Sequence, residues 1–126
     1  MKTLAPSVAV ILVVLTACSS ATPLDTIPTN ADKARRLAQT VASNGGCGSF
    51  EDYNVNRAKD TWVFTCQKQE MTFEIVAYGS EDARSAGIKT LEVCCRTAYF
   101  AKNFYTVAVL AFGSDSADVS LAPFRK

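Results

Sequence analysis

Five cysteines, at positions 18, 47, 66, 94 and 95, and a complete absence of histidine set what chemistry this chain can do. A thiolate is a strong nucleophile, a partner for oxidation to a disulfide and a ligand for soft metals. Without histidine there is no side chain that shuttles protons near neutral pH at its ordinary pKa, no Ser-His or Cys-His pair and no mixed Cys/His zinc site. An all-cysteine zinc site wants two arms, each with cysteines two to four residues apart. Neither arm is present, and the Cys-x-x-Cys spacing of thiol oxidoreductases is missing as well. Catalytic residues, cofactor-binding residues and metal ligands are therefore all assigned as none, and no cofactor is expected.

The remaining polar clusters are weaker still. Glu51 and Asp52 are adjacent, so on a strand they point to opposite faces and make a poor acid–base pair. Asp115-Ser116-Ala117-Asp118 has two carboxylates but not the 12-residue spacing or closing glutamate of a calcium loop. Glycine-rich phosphate loops, nucleophile elbows and zinc-protease motifs are absent. Charge is nearly balanced, with 13 basic and 12 acidic residues, and no basic stripe carries interleaved aromatics. Nucleic acid is thus not an expected partner. Of the aromatic residues Tyr53, Trp62, Tyr78, Tyr99, Phe100 and Tyr105, most are expected in the core. Two or three rings left exposed beside the 95–105 segment would form a contact surface.

The start of the chain has three parts. Lys2 gives a positive beginning, residues 8–15 (Val-Ala-Val-Ile-Leu-Val-Val-Leu) form a short apolar run, and small residues follow. The run is shorter than the roughly 20 residues a membrane-crossing helix needs, and the pattern is that of an export signal. Its end, Leu15-Thr16-Ala17-Cys18, resembles the lipobox of bacterial lipoprotein precursors: an aliphatic residue, two small residues, then cysteine. The resemblance implies a diacylglyceryl group on the Cys18 thiol and cleavage just before it. The expected division is a signal peptide at 1–17, a lipidated cysteine and flexible tether at 18–30, a compact domain at 31–113 and a C-terminal tail at 114–126. Ser19 in place of aspartate removes the feature of lipoproteins retained at an inner membrane. The expected location is the extracytoplasmic face of the cell membrane, held by palmitate-type acyl chains.

With Cys18 taken by lipid, Cys47, Cys66, Cys94 and Cys95 remain as disulfide candidates in an oxidising compartment. A Cys47–Cys66 bridge closes a loop of about 20 residues and stabilises by roughly 3 kcal/mol. Cys94 and Cys95 are neighbours whose Cα atoms lie about 3.8 Å apart across a trans peptide, below the usual disulfide separation. The alternative is a bridge from Cys47 or Cys66 to position 94 or 95.

The elements that must carry these residues follow from periodicity. Ala34, Leu37, Ala38 and Val41 recur at helical spacing, with Thr29 or Asn30 as cap and Asn44-Gly45-Gly46 as stop. Residues 47–54, 61–66 and 71–78 read as strands. The last two alternate, Trp62, Phe64 and Cys66 against Val63 and Thr65, and Met71, Phe73, Ile75 and Ala77 against Thr72, Glu74, Val76 and Tyr78. Ser80 caps a second helix, with Glu81 and Asp82 in its first turn and a stripe through Ala83, Ala86 or Gly87, Thr90 or Leu91, and Cys94. Residues 104–112 are apolar on both faces and predict a strand covered on both sides. Residues 94–103 have room for one more short strand, and the tail lacks pattern. The expected fold is α+β, a small antiparallel sheet of four to five strands with two helices packed on one face, in the order α-β-β-β-α-β.

Residues 31–112 are also similar to small uncharacterised lipoproteins of actinobacteria and their phages. They share an early helix, a cysteine after a glycine pair (Cys47), a cysteine in the second strand (Cys66) and an aromatic strand near the end. The expected function is a non-enzymatic envelope lipoprotein. It would present a disulfide-stabilised domain to an envelope protein partner, with exclusion of rival phage as one concrete version. The alternative is a small envelope enzyme or thiol-redox helper using carboxylates or Cys94 and Cys95.

Overall fold

The computed structural model describes residues 24–53, 58–94, 98–110 and 119–125. Helix α1 spans Ala31–Asn44 and opens at Asn30, whose side chain accepts a hydrogen bond from the Lys33 N–H at 2.9 Å. Ala34, Leu37, Ala38, Val41 and Ala42 form its buried stripe. Three alanines in that stripe let the helix axis come close to the sheet, while Leu37 and Val41 each contribute about 1.5–3 kcal/mol by burial. The helix stops where Gly46 takes a left-handed φ of 71°, a conformation glycine adopts without steric cost.

Five strands follow: β1 (Gly48–Asp52), β2 (Thr61–Lys68), β3 (Met71–Tyr78), β4 (Tyr99–Lys102) and β5 (Tyr105–Val109), with helix α2 (Glu81–Cys94) between β3 and β4. They form one antiparallel sheet in the order β1-β2-β3-β5-β4. The α+β class, the antiparallel sheet and the α-β-β-β-α-β sequence of elements agree with expectation. The short strand that residues 94–103 had room for is β4. The β2–β3 hairpin turns on only Gln69 and Glu70, both at positive φ. Mirror-type turns of this kind match the twist of paired strands. This places Phe64 opposite Ile75, Thr65 opposite Glu74 and Cys66 opposite Phe73.

One part of the expected architecture is corrected. The two helices pack on opposite faces of the sheet. Helix α1 lies over Phe64, Cys66, Phe73, Ile75, Ala77, Val107 and Val109. Helix α2 lies over the other side of β3, where Gly87 sits directly on the ring of Tyr78 and a methyl group there would overlap it. The physical reason is in β3 and β5. Ile75, Val76, Ala77 and Tyr78 are buried in succession, and so are all five residues of β5. Strands buried on both faces need cover on both.

The last described residues form a 3-10 turn, Ala122–Arg125. The tail was expected to be irregular, yet Leu121 and Phe124 are fully buried. The Phe124 ring meets that of Phe73 with centroids 4.9 Å apart and lies against Gly45 at the end of α1. At the other end Pro28 is fully buried, and the Leu24 carbonyl accepts from Asn103 Nδ2 at 3.3 Å. The last part of the expected tether is thus seated on the domain.

Candidate functional site

Cys47 and Cys66 are joined as a disulfide with Cα atoms 5.7 Å apart. The bridge ties the segment after α1 to the later half of β2, and both cysteines are buried in the core. This resolves the open pairing and excludes a bridge from either residue to position 94 or 95. Cys18 and Cys95 lie outside the described residues, as does the 115–118 cluster. Cys94 ends α2, with its side chain outside what is described. Glu51 and Asp52 point to opposite faces as expected. Asp52 pairs with Arg35 of α1, whereas Glu51 stands in the cross-strand row that runs through Thr65 and Glu74.

That row leads to a concavity whose largely apolar walls converge on the Glu74 carboxylate. Helix α2 covers β3 but not the neighbouring β2, and a groove of about 240 Å³ opens between them. Val63 of β2 and Val76 of β3 form its floor, with Thr61 and Ala58 at one end. Ala83, Ala86, Gly87, Thr90 and Leu91 of α2 form its wall. The geometry follows from two local features. Gly87 lets α2 drop onto Tyr78, so the helix sits over β3 at that point. The Ser80 cap, donating partner of which is the Ala83 N–H at 3.1 Å, fixes where the helix starts.

Glu74 reaches the groove from the centre of β3. It is half-buried, and none of the described residues offers it a hydrogen bond or an ion pair. Burial pushes its carboxyl above the ordinary carboxylate value, because removing an anion from water favours its protonated form. Tyr78 is only 2% exposed. Its hydroxyl shares a hydrogen bond with Thr106 Oγ1 at 3.2 Å. Burial raises its pKa first of all, the Thr106 bond opposes that, and the Glu74 charge adds to it. The phenol is therefore held neutral and occupied.

The strand residues that share this face are Glu51, Thr61, Val63, Thr65, Gln67, Thr72, Glu74, Val76, Tyr78, Tyr99, Ala101, Thr106 and Ala108. None is basic. Glu92 of α2 accepts from the Tyr99 hydroxyl at 3.4 Å and adds a further carboxylate to this side. The opposite face carries Lys68, whose ammonium donates to the Gly45 carbonyl, and Arg125, which stacks over Phe100. On this side the bases are on α2: Arg84, bonded to Glu81 and the Asn103 carbonyl, and Lys89, beside Ala86 and Thr90. Of the aromatic rings weighed from sequence, Tyr53 is the exposed one, at 42%. It continues the same face beside Val63, to whose carbonyl its N–H donates at 2.8 Å.

One ionisable group in an apolar groove can anchor a cation or take up a proton. It cannot supply the acid and base that hydrolytic chemistry needs together. Among the described residues no group of three or more His, Cys, Asp or Glu is arranged to hold a metal. Sequence reasoning missed Glu74 as a site residue. The available signal was a lone carboxylate in the middle of an otherwise apolar strand, on the side away from Phe73 and Ile75.

The state of Glu74 has a consequence for stability. Its folded pKa lies above its unfolded value of about 4.3, so the native state binds the proton more tightly. Stability then falls as pH rises through the window between those two values. Glu74→Gln is expected to raise the melting temperature at pH 7 and to lose that advantage below about pH 4. Melting curves of both proteins across pH 3.5–8 check this. A variant less stable than the parent at pH 7 would show that the carboxylate is favourably paired.

No protein-family model, curated protein or solved structure matches the chain.

Proposed function

We propose that this chain is a lipid-anchored binding protein of the cell envelope. It is cut before Cys18, retained at the extracytoplasmic face of the cell membrane through acyl chains on that cysteine, and presents its domain to a protein partner. The observation that carries the reading is the Cys47–Cys66 disulfide. Bridges of this structural kind form and persist outside the reducing cytosol, which is where the export signal and the Leu15-Thr16-Ala17-Cys18 motif would deliver the chain. The groove beside α2 supports binding over catalysis, because its walls are apolar and its single free ionisable group lacks a second to work with.

Anchoring makes a simple physical prediction. One acyl chain gives marginal, reversible attachment, whereas two or three give stable retention. On fractionation, the wild-type chain should stay with membranes through high-salt and alkaline washes and leave only with detergent. The Cys18→Ala form should appear in the soluble extracytoplasmic fraction or remain as uncleaved precursor. A wild-type protein released by salt alone would refute the anchor.

A further inference from the structure

The groove's shape and charge say more about its occupant than "a protein partner". At about 240 Å³ it is smaller than the roughly 300–1,000 Å³ of pockets that enclose drug-sized ligands. It is open along its length, and its apolar skin does not end at its rim. Ala86 and Thr90 also line a second, shallower concavity of about 450 Å³ with Lys89 and Val93, and Val93 is 81% exposed. Tyr53 flanks the other side. The footprint is therefore a slot for one side chain set within a wider apolar surface.

We propose that this slot seats a lysine side chain of a polypeptide partner, its four-carbon stem along Val63, Val76 and Leu91 and its ammonium on Glu74. Charge selects a cation: the strand residues of this face are acidic or neutral, and Glu74 has no counter-ion among the described residues. Arg84 of α2 is taken by Glu81 and the Asn103 carbonyl, and Lys89 of α2 lines the adjoining concavity and not the slot. The slot selects lysine over arginine. A lysine is a compact charge on an apolar stem, while a guanidinium brings five N–H donors in a fixed plane. A single carboxylate satisfies two of them, and the apolar walls would leave others unpaired. The surrounding apolar surface selects a polypeptide over a free amine, because residues flanking the lysine can cover Val93 and Tyr53. The lysine rests on the binding-protein reading above and gives it a chemistry.

Zero-length carbodiimide coupling on the full chain, extracted in nonionic detergent at pH 6, tests this directly. The probes are acetyl-Leu-Ala-Lys-Ala-Leu-amide, the same peptide with norleucine replacing lysine, and n-butylamine. Peptide mapping by mass spectrometry should find the lysine peptide joined to Glu74 at least about tenfold more often than to Glu51, Glu81, Asp82 or Glu92, a preference of roughly 1.4 kcal/mol. Glu74→Gln should abolish that product while leaving coupling at the exposed carboxylates unchanged. The norleucine peptide should give no adduct and should not compete. Coupling spread evenly over the exposed carboxylates overturns the site. Butylamine coupling to Glu74 as efficiently as the peptide overturns the polypeptide occupant. The same spectra report acyl mass on Cys18, so failure of the lysine slot and failure of the anchor are separate results.

Discussion

Phe124→Ala is expected to cost about 3–5 kcal/mol of folding stability, the range for deleting a buried aromatic ring. Phe124 is 1% exposed and packs on Phe73 and Gly45, so its removal opens a cavity between the sheet and the end of α1. Neither wall can collapse easily. Phe73 is held in the β3 ladder between β2 and β5, and Gly45 has no side chain with which to fill space. Small domains have about 5–15 kcal/mol in total, and the loss therefore takes a large share of it. Urea denaturation should show a lower midpoint with an unchanged slope. A loss below about 0.5 kcal/mol, the size of an ordinary surface substitution, would mean that the C-terminal turn does not close the core.

Cutting the Cys47–Cys66 bridge should be nearly as costly. The cysteines are 19 positions apart, and the chain-entropy relation assigns a loop of that size about 3 kcal/mol. The double variant Cys47→Ala, Cys66→Ala should lose about that amount, and burial of both sulfurs in the core adds a packing term of the same sign. A single replacement should be no better, since it leaves a buried lone thiol in addition to the open loop. Denaturation of wild-type protein with and without reductant, next to the double variant, separates these effects. Identical midpoints for oxidised and reduced protein would show that the bridge does not constrain the unfolded chain.

Both sites illustrate what periodicity can and cannot reveal. Residues 71–78 alternate cleanly, and β3 has the bounds and the inward Phe73, Ile75 and Ala77 that alternation implies. The stripe of α1 was equally plain in Ala34, Leu37, Ala38 and Val41, to which the structure adds Ala42. Helix α2 was harder to orient. Its contact with the sheet runs through Gly87 and small neighbours, which carry little hydrophobic signal and so give no indication of which face they cover. The decisive hint lay in β5, whose two-sided apolar character demanded cover from both directions. Leu121 and Phe124 stand beside Val119, Ala122 and Pro123 in a segment with no clear period, so their place in the core depends on where the end of α1 and β3 lie in space.

The Glu74 groove was illegible for a related reason. It is built from residues that each have an ordinary explanation: valines in strands, alanines in a helix, one glutamate on what reads as a solvated face. Only the offset of α2 toward β3, set by the Gly87–Tyr78 contact, leaves β2 uncovered and makes a concavity of them. The disulfide was legible as one of several pairings. Its selection came from the antiparallel pairing of β1 with β2, which brings Cys47 beside Cys66.

The most direct test of the proposed anchor is the intact mass of the protein recovered from membranes, taken with and without reduction. The expected product is a chain starting at Cys18, heavier than its sequence by two or three acyl groups and a glyceryl unit, and gaining two hydrogen atoms on reduction as Cys47–Cys66 opens. An unmodified amino-terminal cysteine, or a product beginning at another residue, would contradict it.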